Sequence, residues 1–280
     1  MKVAVMTDST AYIPKDLREK HNIFMVPLSV VFEDETYREE IDITAEAFYE
    51  KMENAAQLPK TSQPSIGNVT KILEELAKSY DAVITVHLSS GISGTFSAVK
   101  SAGEMVEGID VYAYDSELSC MAQGSYVLEA AHMAEAGKTP EQILERFDYI
   151  KGSMRAYFVV DNLSNLHRGG RLTGAQALIG SMLKVKPILH FVDKQIVPFE
   201  KIRTRKKAIQ RILDMLEEDI ARGGDYKVII IHGNDEQSAR DLQTDFSIKH
   251  PSFESTISYF GPVIGTHLGE GAIGICWYKK

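Results

Sequence analysis

The chain has 280 residues, is 44% hydrophobic and carries a formal net charge of −8 at pH 7, so it is long and apolar enough to bury a large core in two domains. The acidic balance argues against general binding to nucleic acid or to acidic membranes, although it leaves room for a local basic patch. No apolar run approaches the roughly 20 residues that a bilayer span needs, and the first residues enter a strand without the apolar core of a signal peptide, so we expect a cytoplasmic protein.

The first half of the chain alternates predicted strands and helices. Short apolar runs predict strands at 3–6, 82–88 and 110–114 and a hairpin within 23–43. Residues typical of helix N-caps precede helical patterns at Thr44, Ser65 and Thr139. The alternation predicts an N-terminal α/β domain over residues 1–152, with a mostly parallel sheet and helices on both faces. Asp8 follows the first strand, where the sequence allows either a helix cap or a site residue.

A loop between two prolines, Pro59 and Pro64, precedes the helix that leads into the strand at 82–88. The prolines restrict its backbone, so Thr61 and Ser62 are held in place rather than left flexible. Both are candidates to donate hydrogen bonds to a bound anion, and a plain turn is the alternative.

A turn rich in serine and glycine, residues 89–95, follows that strand. In an open α/β sheet such a turn lies at the carboxyl ends of the strands, where ligands bind, and the next helix presents unpaired N–H groups there. Ser93 and Thr95 add hydroxyl donors, and Gly94 lets the backbone approach a ligand closely. The pattern favours an anionic head group, carboxylate or phosphate. The alternative is that Ser93 or Thr95 only caps the helix.

The same turn also resembles part of a nucleophile elbow. Residues 91–94 begin like Gly-x-Ser-x-Gly, but Thr95 stands where the last glycine belongs. A serine hydrolase would use Ser93 as nucleophile, His267 as base and Asp8 to orient the base.

The second half mixes hairpins and crossovers. Its pattern predicts strands at 156–160, 187–192, 195–202, 227–232, 255–260 and 272–278. It predicts helices from 161, at 175–183, at 204–222 and at 235–249. We therefore expect a second α/β domain over residues 153–280, with a mixed sheet.

A basic cluster marks the start of the longest helix in this half. Arg205, Lys206 and Lys207 lie at the positive end of the helix dipole, where each costs about 0.3–1 kcal/mol, and Lys201 and Arg203 come just before them. Such a local violation tends to mark function, here contact with an anion or an acidic partner. A solvated charged face is the alternative.

The end of the chain holds a glycine-rich segment, residues 261–271, predicted as a loop that exposes His267 to a ligand. Its Gly-x-Gly-x-x-Gly match enters the last strand rather than a helix, which argues against dinucleotide binding. No two histidines have metal-ligand spacing, and Cys120 and Cys276 lie far apart without a Cys-x-x-Cys pattern. We expect no metal and no cofactor, and two buried packing cysteines.

Together these segments resemble the DegV family, which includes the fatty-acid-binding subunits of bacterial fatty acid kinase. The matching pieces span nearly the whole chain in family order: Thr7-Asp8-Ser9, Thr61-Ser62-Gln63-Pro64, residues 89–95, Asp161-Asn162-Leu163, Arg168-Gly169-Gly170-Arg171, Lys186-Pro187-Ile188-Leu189 and residues 261–267. The resemblance implies two α/β domains with a long-chain fatty acid in an apolar tunnel between them.

The resemblance also assigns roles to residues. It implies that the carboxylate is held by a set of neutral groups: Thr61, Ser62, Ser93, Gly94, Thr95 and His267. Ile92, Phe96, Phe158, Leu178 and Ile264 are candidate tunnel residues.

It further implies that the chain is a carrier and not itself an enzyme. A separate ATP-dependent kinase subunit would phosphorylate the bound acid to an acyl phosphate for phospholipid synthesis, with Arg171 and Arg203 aiding kinase docking or the transferred phosphoryl group. A transient contact with a membrane or an acyltransferase fits the same role. A lipid-binding regulator that works without any kinase is the remaining alternative.

Overall fold

The structure is a computed structural model that describes residues 1–172 and 186–280. The apolar helix predicted at 175–183, with Leu178, lies outside these ranges. The strands are β1 Val3–Asp8, β2 Ile23–Val26, β3 Ser29–Phe32, β4 Glu35–Arg38, β5 Lys60–Ser62, β6 Ala82–His87, β7 Asp110–Asp115, β8 Arg155–Val159, β9 Lys186–Val192, β10 Gln195–Ile202, β11 Tyr226–His232, β12 Glu254–Tyr259 and β13 Ile273–Lys279. The helices are α1 Lys15–Lys20, α2 Ala45–Glu53, α3 Ile66–Ala77, α4 Thr95–Gly103, α5 Cys120–Glu135, α6 Pro140–Ser153, α7 Ser164–Arg168, α8 Arg205–Ala221, α9 Glu236–Lys249 and α10 Pro262–Leu268, with a short 3₁₀ helix at Ser9–Ala11.

The first half of the chain builds a four-stranded parallel sheet in the order β2-β1-β6-β7. Its strands are apolar on both sides because helices cover both faces. Val69 and Leu73 of α3 pack with Val99 of α4 on one face, and Tyr126 and Val127 of α5 belong to the core on the other. The α/β class with helices on both faces is confirmed.

The predicted hairpin is present, but the segment before it divides into two strands. β2 joins the parallel sheet, whereas β3 pairs with β4 and β5 in a separate three-stranded antiparallel sheet. Pro27, which lacks an N–H, stands at the break. The proline-bounded stretch predicted as a loop therefore contains a short strand, in which Thr61 pairs with Val30.

The second half forms a six-stranded mixed sheet in the order β10-β9-β8-β13-β11-β12, in which β11 and β12 are the parallel pair. Ala208 and Ile212 of α8 and Phe246 of α9 pack on one face. The other face turns toward α5 and α6, which also contact the parallel sheet. The mixed sheet is confirmed, and the predicted division at residues 152 and 153 stays a prediction.

The hairpin of β9 and β10 reaches across to the turn at 89–95. Ser89 Oγ donates to the Lys194 carbonyl at 2.6 Å, and Lys194 Nζ lies 2.9 Å from Asp115. Asp115 also accepts hydrogen bonds from the N–H and the hydroxyl of Ser90, at 3.1 and 2.6 Å. A Cβ on Gly91 would lie 2.3 Å from the Lys194 oxygen, so glycine is required for this approach. The tip of the hairpin thus holds the turn in place.

Within residues 1–172 and 186–280, no helix is long and apolar enough to cross a membrane.

Candidate functional site

A polar pocket lies where the turn at 89–95, β5, Arg171 and α10 meet. Its empty volume is about 650 Å³, part of it open to solvent. The lining residues are Leu28, Thr61, Ser62, Gln63, Leu88, Ile92, Ser93, Gly94, Arg171, Val263, Ile264 and His267. The structure therefore brings five of the six predicted carboxylate contacts to one pocket. The sixth, Thr95, is fully buried. Its hydroxyl forms a hydrogen bond with the hydroxyl of Ser93, and the two oxygens are 2.9 Å apart.

The turn presents an uncapped helix end to this pocket. Gly94 is the N-cap residue of α4 and offers no capping side chain, while the Thr95 N–H donates to Ser93 Oγ at 3.3 Å. The simple capping role considered for Ser93 and Thr95 is therefore not what the structure shows. A Cβ on Gly94 would lie 2.1 Å from Gln63 Oε1, so only glycine lets the two segments of the pocket come this close.

Thr61 and His267 meet across the pocket, although 206 positions separate them. The Thr61 hydroxyl and His267 Nε2 are 3.0 Å apart. The ring is 8% exposed, and burial together with the nearby Arg171 charge lowers the pKa of His267 to about 4. His267 is therefore neutral near pH 7. Its Nδ1 has no hydrogen-bond partner among the described residues.

The segment around His267 differs from its prediction as an exposing loop. Residues Pro262–Leu268 form α10, and all seven are buried. Proline suits the first helical position, and the glycines are needed for close packing: a Cβ on Gly265 would lie 2.7 Å from the Tyr49 hydroxyl. Glycines that suggested a loop instead let aromatic rings pack against a helix.

The two predicted arginines lie in different places. Arg171 lines the pocket, donating from Nε to the Ile92 carbonyl at 3.1 Å and from Nη1 to the Gly169 carbonyl at 2.7 Å. Burial lowers the pKa of its guanidinium. Arg203 is exposed just before α8 and makes no hydrogen bond or ion pair with the residues that the structure describes. Its neighbour Arg205 is paired with Asp235 at 2.7 Å, so this cation of the basic cluster is neutralised.

An apolar cavity adjoins the polar pocket and lies beside the six-stranded sheet. The cavity and the pocket share Ile92, Arg171, Ile264 and His267 in their linings, and the empty volume at the cavity, counting space open to solvent, is about 550 Å³. Its other lining residues are Ser119, Cys120, Ala122, Ala156, Tyr157, Phe158, Leu166, Phe191, Ile196, Ile231, Phe260, Leu268, Gly274, Ile275 and Cys276. Of the predicted tunnel residues, Ile92, Phe158 and Ile264 line it, whereas Phe96 is not among the described lining residues.

Both cysteines are free and buried in the wall of this cavity. Burial raises the pKa of both thiols, so they are protonated at neutral pH. Although 156 residues apart in sequence, they line one space that the sequence could not reveal.

Asp8 is separate from the pocket. Its carboxylate caps the 3₁₀ helix through the Thr10 N–H, and it bonds His87 Nδ1 and the Leu88 N–H, each at 3.0 Å. It therefore ties β1 to β6 and makes no hydrogen bond to His267. The hydrolase triad considered from the sequence is not assembled, because His267 Nε2 bonds Thr61 and Ser93 bonds Thr95.

Sequence reasoning missed Glu39, which lies in the segment predicted only as part of a hairpin. The structure buries it completely beside α10, where Val263 donates to it at 2.7 Å. A glutamate next to Glu40 in a charged stretch gives no sequence signal of burial.

The fold and the site together define an α/β protein with an apolar cavity beside a polar pocket, which is lined by hydroxyls, a neutral histidine and Arg171. The model of the DegV family, described as "Uncharacterised protein, DegV family", matches residues 2–280. The chain belongs to the DegV family.

Known relatives resemble the chain over its full length. It is 58% identical over 281 residues to Protein DegV of Bacillus subtilis (strain 168), with 100% of both chains covered. The crystal structure of that DegV, described as a fatty acid binding protein, matches with a TM-score of 0.95 over 100% of both chains.

More distant structures match as well. One is a DegV family protein from Thermus thermophilus, whose structure is described as one of fatty acid binding. It matches with a TM-score of 0.92 and 29% identity, and 100% of both chains is covered. Another is a stearic acid-binding protein from Eubacterium ventriosum, with a TM-score of 0.90, 25% identity, and 99% and 98% of the two chains covered.

Proposed function

We propose that this protein binds a long-chain fatty acid, with the acyl chain in the apolar cavity and the carboxylate in the polar pocket. The observation that carries the proposal is that the cavity and the pocket adjoin, with Ile92, Arg171, Ile264 and His267 in the linings of both. The relatives described as fatty acid binding proteins support it. In this proposal residues 1–152 and 153–280 are two domains of a cytoplasmic carrier, and the ligand lies between them.

The two spaces divide the work of binding. Each buried methylene contributes about 0.8 kcal/mol, so a long tail supplies on the order of 10 kcal/mol before entropic costs. Each hydrogen bond to the carboxylate adds about 1.5–3 kcal/mol. The tail therefore sets affinity, and Thr61, Ser93 and the Gly94 N–H fix the reactive end.

Neutral donors suit a carboxylate that must react. Ser93 and Thr61 are hydroxyls, and His267 is neutral because its pKa is lowered to about 4. Hydrogen bonds from such groups orient a carboxylate without neutralising its charge, so its oxygen keeps nucleophilic character toward a phosphoryl donor.

Native mass spectrometry of the purified protein tests the binding proposal. We expect a stoichiometric adduct that a denaturing run releases as a fatty acid, whose mass gives the chain length. A protein that is purified empty, and that stays empty after incubation with C16 and C18 acids, would overturn the proposal.

We further propose that the bound carboxylate is presented to a separate ATP-dependent kinase subunit, which forms an acyl phosphate for phospholipid synthesis. Two features support this: the polar pocket is part-open to solvent, and exposed cations lie before and within the start of α8 in a chain of net charge −8. Arg203 would contact an acidic face of the kinase, and Arg171 would lie beside the phosphoryl group. No cofactor other than the bound acid is proposed.

Arg203→Ala tests the docking part, with Arg222→Ala as its matched control. Both arginines are exposed, but Arg222 lies at the opposite end of α8, paired with Asp219 at 2.8 Å. We expect only Arg203→Ala to slow acyl phosphate formation by the kinase subunit of the source cell, and more so at low salt. Equal rates for the two variants would remove Arg203 from the interface, and failure to recover a kinase by pull-down would favour a regulator.

A further inference from the structure

Glu39 is a fully buried carboxyl group beside the site, with 0% of its surface exposed. It follows β4 and accepts hydrogen bonds from three donors. Ser9 Oγ lies 2.5 Å from Oε2, while the Tyr12 hydroxyl and the Val263 N–H lie 2.9 and 2.7 Å from Oε1. The 3₁₀ helix after β1, with its C-cap Tyr12, and α10 thus converge on one side chain.

One of these donors belongs to α10, whose first turn leaves N–H groups without partners in the helix itself. Glu39 accepts from Val263, and the Tyr12 hydroxyl accepts from the Ile264 N–H at 3.2 Å. A Cβ on Gly261 would lie 2.3 Å from the Tyr12 ring, so glycine there admits the tyrosine. The first half of the chain therefore satisfies the beginning of this helix.

The same helix carries His267 and Ile264 into the polar pocket. Seven residues are too few for a helix to be stable alone, so its position depends on such outside contacts. Val263 is one turn before His267, and the ring must remain 3.0 Å from the Thr61 hydroxyl. A shift of α10 by even one ångström would break that hydrogen bond.

We propose that Glu39 is a positioning residue of the fatty acid site: it fixes the beginning of α10 and thereby holds His267 against Thr61. It does not line the pocket. The expected effect on ligand affinity rests on the fatty acid binding proposed above. The expected effect on the position of the His267 ring does not.

The protonation of Glu39 leaves this role intact. Burial raises the pKa of Glu39 to about 8. The titratable side chains that interact with this carboxyl group are Tyr12, Glu40, Tyr49, Cys120 and Tyr259. Oε1 accepts from Val263 and Tyr12 whether or not Oε2 carries a proton. The amide oxygen of a glutamine should therefore accept these hydrogen bonds in place of Oε1, whereas the thioether of a methionine should not.

The experiment compares Glu39→Met, which removes the acceptor at similar length, with Glu39→Gln, which keeps an acceptor oxygen. The matched control is Glu40→Met, because Glu40 accepts from the Tyr259 hydroxyl at 2.9 Å and pairs with Arg18 rather than with α10. Two readouts are taken: the ¹⁵N resonances of the His267 ring without ligand, assigned by their loss in His267→Asn, and the ratio of affinities for oleate and oleyl alcohol.

We expect Glu39→Met to shift the His267 resonances and to lower the oleate-to-alcohol ratio by about tenfold. Glu39→Gln should recover most of both effects, and Glu40→Met should change neither. A Glu39→Met protein with wild-type resonances and ratio would overturn the proposal. If that variant does not fold, Tyr12→Phe removes only the hydroxyl between Glu39 and Ile264 and should shift the resonances in the same direction. Wild-type protein that binds neither lipid would instead count against the proposed function, while the resonances still test the positioning.

Discussion

Thr61, on β5, and Ser93, in the turn after β6, both line the polar pocket and are the two hydroxyls that we propose hold the carboxylate. Replacing both with alanine should cut the preference for oleate over oleyl alcohol by about 10- to 100-fold, because two hydrogen bonds to a charged group are lost. Lipid retention should fall less, since the tail supplies most of the affinity. Titration calorimetry with both lipids measures the ratio. Ser97→Ala, an exposed serine on α4, is the control, and an unchanged ratio in the double variant would contradict these roles.

His267 gives a pH dependence whose sign follows from its environment. Its pKa is lowered from 6.5 to about 4 in the folded protein, so the unfolded chain binds the proton more tightly. The stability it contributes is present above pH 6.5 and is lost as the pH falls toward 4, by about 1.4 kcal/mol per pH unit at most.

His267→Asn should therefore flatten the decline of unfolding free energy between pH 6.5 and 4. Urea unfolding at several pH values measures the slope. His132→Asn, which replaces an exposed histidine on the last turn of α5, is the control. Equal slopes for wild type and His267→Asn would argue that the His267 ring is not buried as the structure shows.

At the scale of elements, the β9–β10 hairpin holds the turn at 89–95 through Asp115. Asp115 accepts from Ser90 and Lys194, and these partners lower its pKa despite burial. Asp115→Asn turns an amide NH₂ group toward the donors of Ser90 and Lys194, and it should lower the free energy of unfolding by about 1–3 kcal/mol. It should also weaken fatty acid binding, because the turn loses its outside support.

Asp110→Asn, at the exposed start of the same strand, is the matched control. Denaturant melts and oleate affinity measure the two effects. Full stability and affinity in Asp115→Asn would show that the hairpin contact is dispensable.

The elements themselves were largely predictable from the sequence. Local patterns located most of the strands and helices, and caps such as Thr44, Ser65 and Thr139 accept hydrogen bonds where expected. The β5 strand was not predictable, because three residues between prolines gain their pairing only from β3. The helix α10 was missed because its glycines serve contacts with Tyr12 and Tyr49, which lie more than 200 positions away.

The site was predictable in its parts and not in its assembly. The Ser/Gly turn and the Thr61 segment carry local signals of anion binding, whereas the role of His267 depends on where α10 packs. No local sequence pattern predicts the burial of Glu39, since burial is a property of the whole fold. The residues shared by the pocket and the cavity come from three distant segments of the chain, so no local spacing in the sequence predicts that they meet.

At the scale of the whole molecule, a bound fatty acid would touch both halves of the chain and stabilise them together. Oleate at about 100 times its dissociation constant should raise the melting temperature by about 5–10 °C. Octanoate at the same concentration should raise it far less, because it offers the same head group and ten fewer carbons. Scanning calorimetry measures both. Equal shifts for the two acids would place the binding energy in the head group and contradict an acyl chain in the cavity.

The pairing of Thr61 with His267 also predicts how the family has diverged. The bond joins two side chains, so a substitution at either position removes the other's partner, and the two positions should change together among relatives. Glu39 instead accepts from a backbone N–H, which every residue but proline supplies, so substitutions at position 263 should not be coupled to the residue at position 39. Covariation between positions 61 and 267 among relatives, without covariation between positions 39 and 263, would distinguish the contact that depends on two side chains from the contact that depends on the main chain.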